Sequence, residues 1–168
     1  MTAHISRINT EDTDAVFNLN NVIFNDQIVY PKSFIQRLCT ERKGFLIKFD
    51  QEPVGYILCE NCYNNITKMV VNTIFSIGVL EKYRKRGFGK VLLKALIDLF
   101  PKTDIYLNVR VTNLAAQSLY RSEGFVTIGT LPKYYKLESG LEDAYSMVRF
   151  YEVAELFLNL QASDEVKK

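Results

Sequence analysis

Arg84-Lys85-Arg86-Gly87-Phe88-Gly89-Lys90 packs four cations and two glycines into seven residues. An apolar run, Val70 to Val79, precedes it, and an amphipathic stretch, Val91 to Phe100, follows. A strand, a short basic loop and a helix make an anion cradle. Glycine lets backbone approach a ligand closely, and the unpaired N–H groups of a helix's first turn point outward. The positive end of the helix and the flanking cations add attraction for phosphate. Two familiar phosphate loops do not fit: there is no G-x-x-x-x-G-K-[ST], and the third glycine of a dinucleotide fingerprint falls at Leu92. Taken alone, the segment reads equally well as a turn eased by two glycines.

Other chemistry is sparse. The cysteines are Cys39, Cys59 and Cys62, and the one histidine is His4. Cys59-Glu60-Asn61-Cys62 has metal-ligand spacing but lacks a second pair, and it ends a β-like run instead of opening a helix. Reduced strand cysteines and no metal are expected. A net charge of +2 is too small for a nucleic-acid surface. No apolar run reaches the roughly 20 residues of a membrane span, and Met1-Thr2-Ala3-His4 opens no signal-peptide core. The cytoplasm is the expected compartment.

These residues need a scaffold, and 168 residues, 48% of them hydrophobic, suffice for one domain with a real core. Ile5 to Ile8 reads as a strand. Thr10 caps a helix with Ala15, Val16, Leu19, Val22 and Ile23 on one face. After a loop from Phe24 to Pro31, Ser33 opens a second helix. Gly44 to Phe49 and Val54 to Cys59 form a hairpin, and Met69 to Val79 is a long central strand. The helix from Gly87 to Phe100 stops at Pro101. Ile105, Leu107 and Val109 alternate with polar residues as a strand does. Asn113 caps a helix ending at Gly124, and Phe125 to Leu131 and Tyr145 to Phe150 are the last strands. The class is α/β (α+β), with a mixed, mostly antiparallel sheet of about seven strands flanked by helices.

Three segments together resemble the GNAT acetyltransferase superfamily, most closely its N-terminal acetyltransferases, both RimI-like and eukaryotic catalytic subunits. Ser76-Ile77-Gly78-Val79 with Tyr83 to Lys90 is similar to the [QR]-x-x-G-x-[GA] acetyl-CoA loop. Leu107-Asn108-Val109-Arg110 through Asn113, Ala115-Ala116, Leu119-Tyr120 and Gly124-Phe125 resembles L-x-V-R-x-x-N-x-x-A-x-x-L-Y-x-x-x-G-F. Tyr134-Tyr135 with Gly140 to Met147 is similar to the YY…G-x-D-A-x-x-M ending. The resemblance covers about residues 5 to 150 and implies a GNAT domain over 1–150, followed by a C-terminal tail over 151–168.

It also implies roles. The backbone of Phe75, Ile77, Gly78 and Val79 would hold the pantetheine arm, and the loop Arg84, Lys85, Arg86, Gly87, Phe88, Gly89 and Lys90 the pyrophosphate. Asn113 and Ala116 would contact acetyl-CoA, and Tyr120 would protonate the departing sulfur. Tyr30, Phe75, Tyr134 and Tyr135 would wall the peptide N-terminus. Where related enzymes carry a tyrosine and a histidine or glutamate to manage the substrate proton, this chain has Thr73 and Asn108, neither of which takes a proton near neutral pH. The resemblance thus implies transfer of acetyl from acetyl-CoA to an amine, foremost the α-amine of a protein N-terminus. A lysine or small-amine acetyltransferase and a catalytically weak CoA-binding subunit are the alternatives. In the tail, Val153, Leu156, Phe157 and Leu160 recur at helical spacing with Glu152 and Glu155 between them, which fits packing on the domain or on a partner subunit better than on a membrane.

Overall fold

The computed structural model describes residues 2–25, 30–64 and 69–151. The expected tail helix therefore lies outside the described residues beyond Tyr151. In chain order the elements are β1 (Ala3–Arg7), α1 (Thr13–Ile23), α2 (Lys32–Thr40), β2 (Gly44–Phe49), β3 (Glu52–Asn64), β4 (Met69–Val79), α3 (Phe88–Leu99), β5 (Ile105–Arg110), α4 (Leu114–Ser122), β6 (Val126–Leu137) and β7 (Gly140–Arg149), with short 3-10 turns at Thr10–Asp12 and Glu81–Tyr83. The seven strands form one sheet in the order β1-β2-β3-β4-β5-β7-β6. Every pairing is antiparallel except β4 with β5.

Two apolar clusters sandwich the sheet. On one face Phe88, Leu92, Leu93 and Leu96 of α3, with Tyr120 of α4, pack on Ile57, Ile74, Leu107 and Met147. On the other, Val16 and Leu19 of α1 and Ile35 and Leu38 of α2 cover Leu46, Tyr56 and Leu58. The α1 stripe at 16, 19, 20 and 23 includes one polar member, Asn20, which is fully buried.

Several ends differ from the sequence reading. Asn9, not Thr10, caps the first helical segment: its side chain accepts the Glu11 N–H at 2.8 Å, while Asp12 accepts the Asn9 N–H at 3.1 Å. The second helix begins at Lys32 behind Pro31, so Ser33 is already inside it. β3 continues to Asn64, and β6 and β7 make one long hairpin. The hairpin was hard to see because nearly all of β6 is exposed and its register shifts between Leu131 and Tyr135, which breaks the alternation that marks a strand. As the sequence suggested, Asn113 caps α4, its side chain accepting the Ala116 N–H at 3.1 Å.

Candidate acyl-transfer cleft

The site forms where the sheet opens. β4 and β5 pair only over Asn72–Ile74 and Ile105–Leu107 and then part. A β-bulge at Phe75 accompanies the parting: Leu58 pairs with Ser76 but Cys59 with Ile74. The extra residue places two successive side chains on the α1/α2 face. Phe75 meets Tyr30 and Phe34 there, and Ser76 bonds Tyr56, while Ile74 and Ile77 turn to the α3 face. Parted strands leave backbone groups without ladder partners, and such groups must be satisfied otherwise. Two tyrosines take one each. The Tyr30 hydroxyl donates to the Phe75 carbonyl (3.2 Å) and the Tyr135 hydroxyl to the Asn108 carbonyl (2.9 Å).

Two cavities occupy the opening. One, of about 450 Å³, is bordered by Thr73, Phe75, Asn108, Tyr120 and the tyrosines Tyr30, Tyr134 and Tyr135. The other, of about 670 Å³, is bordered by Ile77, Gly78 and Val79 of β4, by Arg84, Lys85, Gly87, Phe88, Gly89 and Lys90, and by Asn113, Ala116 and Tyr120. Ile77, Arg110, Asn113, Ala116 and Tyr120 border both, so the two are ends of one passage between the strands.

The second cavity suits an elongated ligand that ends in phosphate. Gly87 has φ +82°, and a Cβ built there meets no atom within 4 Å, so its backbone borders open space. No side chain caps α3, which leaves the first-turn N–H groups available to a ligand. The cations are less uniform than the sequence suggested. Arg86 does not border the cavity: its guanidinium lies over the rings of Tyr83 (5.3 Å) and Phe49 (5.6 Å). Lys90 pairs with Glu123 at 3.0 Å, and the Arg84 Nε donates to the Val79 carbonyl at 3.1 Å. Gly89 borders the cavity too, and a Cβ built there would touch Leu119 Cδ2 at 3.3 Å, so that glycine also serves the approach of α3 to α4.

Tyr120 is both core and site. It is 5% exposed, its ring packs against Phe125, and it borders both cavities. Its hydroxyl bonds no described residue, and burial pushes its pKa well above that of a free phenol. Burial likewise raises Tyr135 strongly and Tyr30 to about 12, each with a smaller push from neighbouring Tyr134. All three hold their protons at neutral pH. His4 lies on β1, at the far edge of the sheet. Cys59 and Cys62 lie in β3 three residues apart, hence on opposite faces of the strand.

The sequence reading missed a buried network behind the cleft. Tyr56 donates to Asn20 Oδ1 at 2.8 Å, and its oxygen sits 2.8 Å from Ser76 Oγ. The single phenolic hydrogen goes to Asn20, so Ser76 is the donor to Tyr56. Asn20 and Ser76 border the first cavity. The available signal was Asn20 itself, a polar residue on the apolar stripe of α1.

The chain resembles known proteins in sequence and in fold. The acetyltransferase (GNAT) family model matches residues 13–125. The N-alpha-acetyltransferase of Sulfurisphaera tokodaii is 32% identical over 147 residues, spanning 81% of this chain and 86% of that protein. The Escherichia coli [ribosomal protein bS18]-alanine N-acetyltransferase is 39% identical over 87 residues, 49% of this chain and 59% of that protein. Among solved structures, Arabidopsis thaliana NAA60 in complex with acetyl-CoA superposes with a TM-score of 0.78 at 22% identity, covering 89% of this chain and 99% of that one. The chain belongs to the acetyltransferase (GNAT) family.

Proposed function

We propose that this protein transfers the acetyl group of acetyl-CoA to the α-amino group of a protein N-terminus. The observation that carries the reading is the two-ended passage. A cavity beside an uncapped helix start and a tyrosine-walled cavity meet at Tyr120. The family membership supports acetyl transfer, and relatives named N-alpha-acetyltransferases support the choice of amine.

Acetyl-CoA bound in the second cavity supplies an activated thioester. Gly87 and the first turn of α3 would hold its pyrophosphate, with Arg84, Lys85 and Lys90 neutralising charge at the rim. Ile77 to Val79, with no ladder partner toward β5, offer backbone groups to the pantetheine amides. The peptide enters between Tyr30 on one side and Tyr134 and Tyr135 on the other, which fix its backbone and limit entry to an extended chain end.

Protons then decide the substrate. Thr73 and Asn108 border the peptide cavity, and neither side chain can serve as a base. An α-amine with pKa of about 7.7–8.0 is about a quarter neutral at pH 7.4, whereas a lysine amine is neutral about once in a thousand. The N-terminal amine therefore needs little help and gives its proton to water. As nitrogen bonds the acetyl carbon and the carbon–sulfur bond breaks, Tyr120 donates its hydroxyl hydrogen to the sulfur and is reprotonated from solvent. Its raised pKa suits a donor that stays protonated until negative charge arrives.

The cytoplasm, where new N-termini emerge, is the compartment this reading favours. Among the described residues no helix is long and apolar enough to cross a membrane. A partner subunit for the 151–168 tail is part of the same reading, since one structural neighbour is the NatC complex bound to Gag peptide and CoA. Thr73 and Asn108 also favour a second reading, a CoA-binding subunit with weak catalysis. Acetyl-CoA turnover against peptides varied at their first two residues, each with a free or blocked N-terminus, tests both. Turnover confined to free N-termini supports the proposal, and CoA binding without turnover on any peptide favours the second reading.

A further inference from the structure

Glu142, near the start of β7, faces Tyr135 of β6 across the β6–β7 pairing, and Tyr135 borders the first cavity. Its Oε1 accepts the Thr112 backbone N–H at 3.0 Å and the Thr112 hydroxyl at 2.5 Å, and its Oε2 lies 3.9 Å from Arg110 Nε. One carboxylate, with its side chain only 14% exposed, thus reaches the end of β5, the loop into α4 and the hairpin. The next residue ties the same pieces. The Asp143 carbonyl accepts the Val111 N–H at 3.1 Å, and its carboxylate accepts the Lys133 N–H at 2.7 Å. Lys133 has φ +54° and sits within the register shift that aims Tyr134 and Tyr135.

Arg110 is, among the described residues, the one charged side chain that borders both cavities. Thr112 borders the cofactor cavity and directly precedes the α4 cap, Asn113. We propose that Glu142 is a positioning residue for acyl transfer. It fixes Arg110 at the junction of the two cavities and holds the Thr112 loop against the tyrosine-bearing hairpin, so that the peptide meets a wall already formed. Preorganisation of this kind removes an ordering cost that binding would otherwise carry. The inference rests on the N-terminal acetylation reading.

Steady-state kinetics on the full chain tests it, with acetyl-CoA and whichever free-N-terminus peptide the unmutated protein turns over fastest. Glu142→Ala should raise the peptide KM on the order of tenfold, as expected when a charge-assisted contact is lost, and lower kcat much less. Because the part of the effect that runs through Arg110 cannot be lost twice, the loss in the Arg110→Ala/Glu142→Ala double variant should fall clearly short of the product of the two single losses. Glu142→Gln keeps an acceptor for Thr112 and drops the charge facing Arg110, so its KM should fall between. If Glu142→Ala does not fold, Glu142→Gln carries the same double cycle. A peptide KM within about twofold of the unmutated protein, or losses that multiply, overturns the inference while leaving the acetylation reading intact. Absence of turnover by the unmutated protein on every free N-terminus overturns both.

Discussion

The Tyr30 hydroxyl donates to the Phe75 carbonyl across 3.2 Å, which fastens the wall before α2 to the bulge of β4. Tyr135 makes the matching bond to Asn108 on β5. Each parted strand thus has a carbonyl satisfied by a tyrosine that borders the first cavity, the one proposed to take the peptide. Tyr30→Phe and Tyr135→Phe keep the rings but free those carbonyls. Each should raise the peptide KM by roughly threefold to tenfold, the scale of one neutral hydrogen bond, and leave acetyl-CoA affinity within about twofold. Steady-state kinetics with calorimetry of CoA binding separates the two effects. An unchanged peptide KM in both variants would mean that the walls do not touch substrate.

Tyr120→Phe removes a hydroxyl that bonds no described residue while keeping the ring against Phe125. Melting temperature should hold or rise slightly, because no protein hydrogen bond is lost. Turnover should fall about 10²–10⁴-fold, the usual cost of a missing positioned acid, with little change in acetyl-CoA affinity. Near-normal turnover would make Tyr120 a core residue only.

The two loop glycines should part company. Gly87 needs φ +82° and borders open space, so Gly87→Val combines backbone strain of about 1–2 kcal/mol with a side chain in the cradle. Calorimetry should show acetyl-CoA affinity reduced at least tenfold. Gly89→Ala instead presses on Leu119, and its main effect should be a melting temperature lower by a few degrees, with affinity largely kept. The reverse pattern would misplace the pyrophosphate.

Alkaline stability follows from buried acids. Burial raises the Cys59 thiol from 9.0 to about 12 and the Tyr30 phenol from 10.0 to about 12, and it also raises Tyr56, Tyr120 and Tyr135. Between its unfolded and folded pKa such a group binds more protons folded than unfolded, so stability falls as pH rises through that window. Urea midpoints should stay level for these groups below about pH 9 and decline from there toward pH 12. Burial raises the Cys39 thiol as well, so Cys59→Ala should shrink the decline that begins near pH 9, and the Cys39→Ala/Cys59→Ala pair should delay the onset to about pH 10, where the tyrosines take over. A midpoint that rises between pH 9 and 11 contradicts these shifts.

Much of the site was legible because its motifs are local. Gly87 and the α3 start, the Asn113 cap and the Tyr134-Tyr135 pair each lie within a few residues of chain. What was hidden depends on long-range contacts. Arg86 reads as one more phosphate cation, yet Tyr83 and Phe49, the latter far away in sequence, draw it off. The Tyr56–Asn20–Ser76 network joins three elements that no spacing rule connects. The bulge at Phe75 leaves no trace in the sequence of β4, though it puts the successive side chains of Phe75 and Ser76 on one face. The length of the last hairpin was obscured for a related reason: an exposed edge strand with a register shift carries little alternation.

Which amine receives the acetyl group is the central question. The most direct measurement is mass spectrometry of peptides that carry both a free N-terminus and an internal lysine, incubated with the protein and acetyl-CoA from pH 6.5 to 9. Acetyl is expected on the N-terminal nitrogen, with a rate that rises to a plateau above the amine's own pKa of about 7.7–8.0, and no product is expected when that nitrogen is blocked. Acetyl placed mainly on the lysine, or undiminished product from blocked peptides, would contradict it.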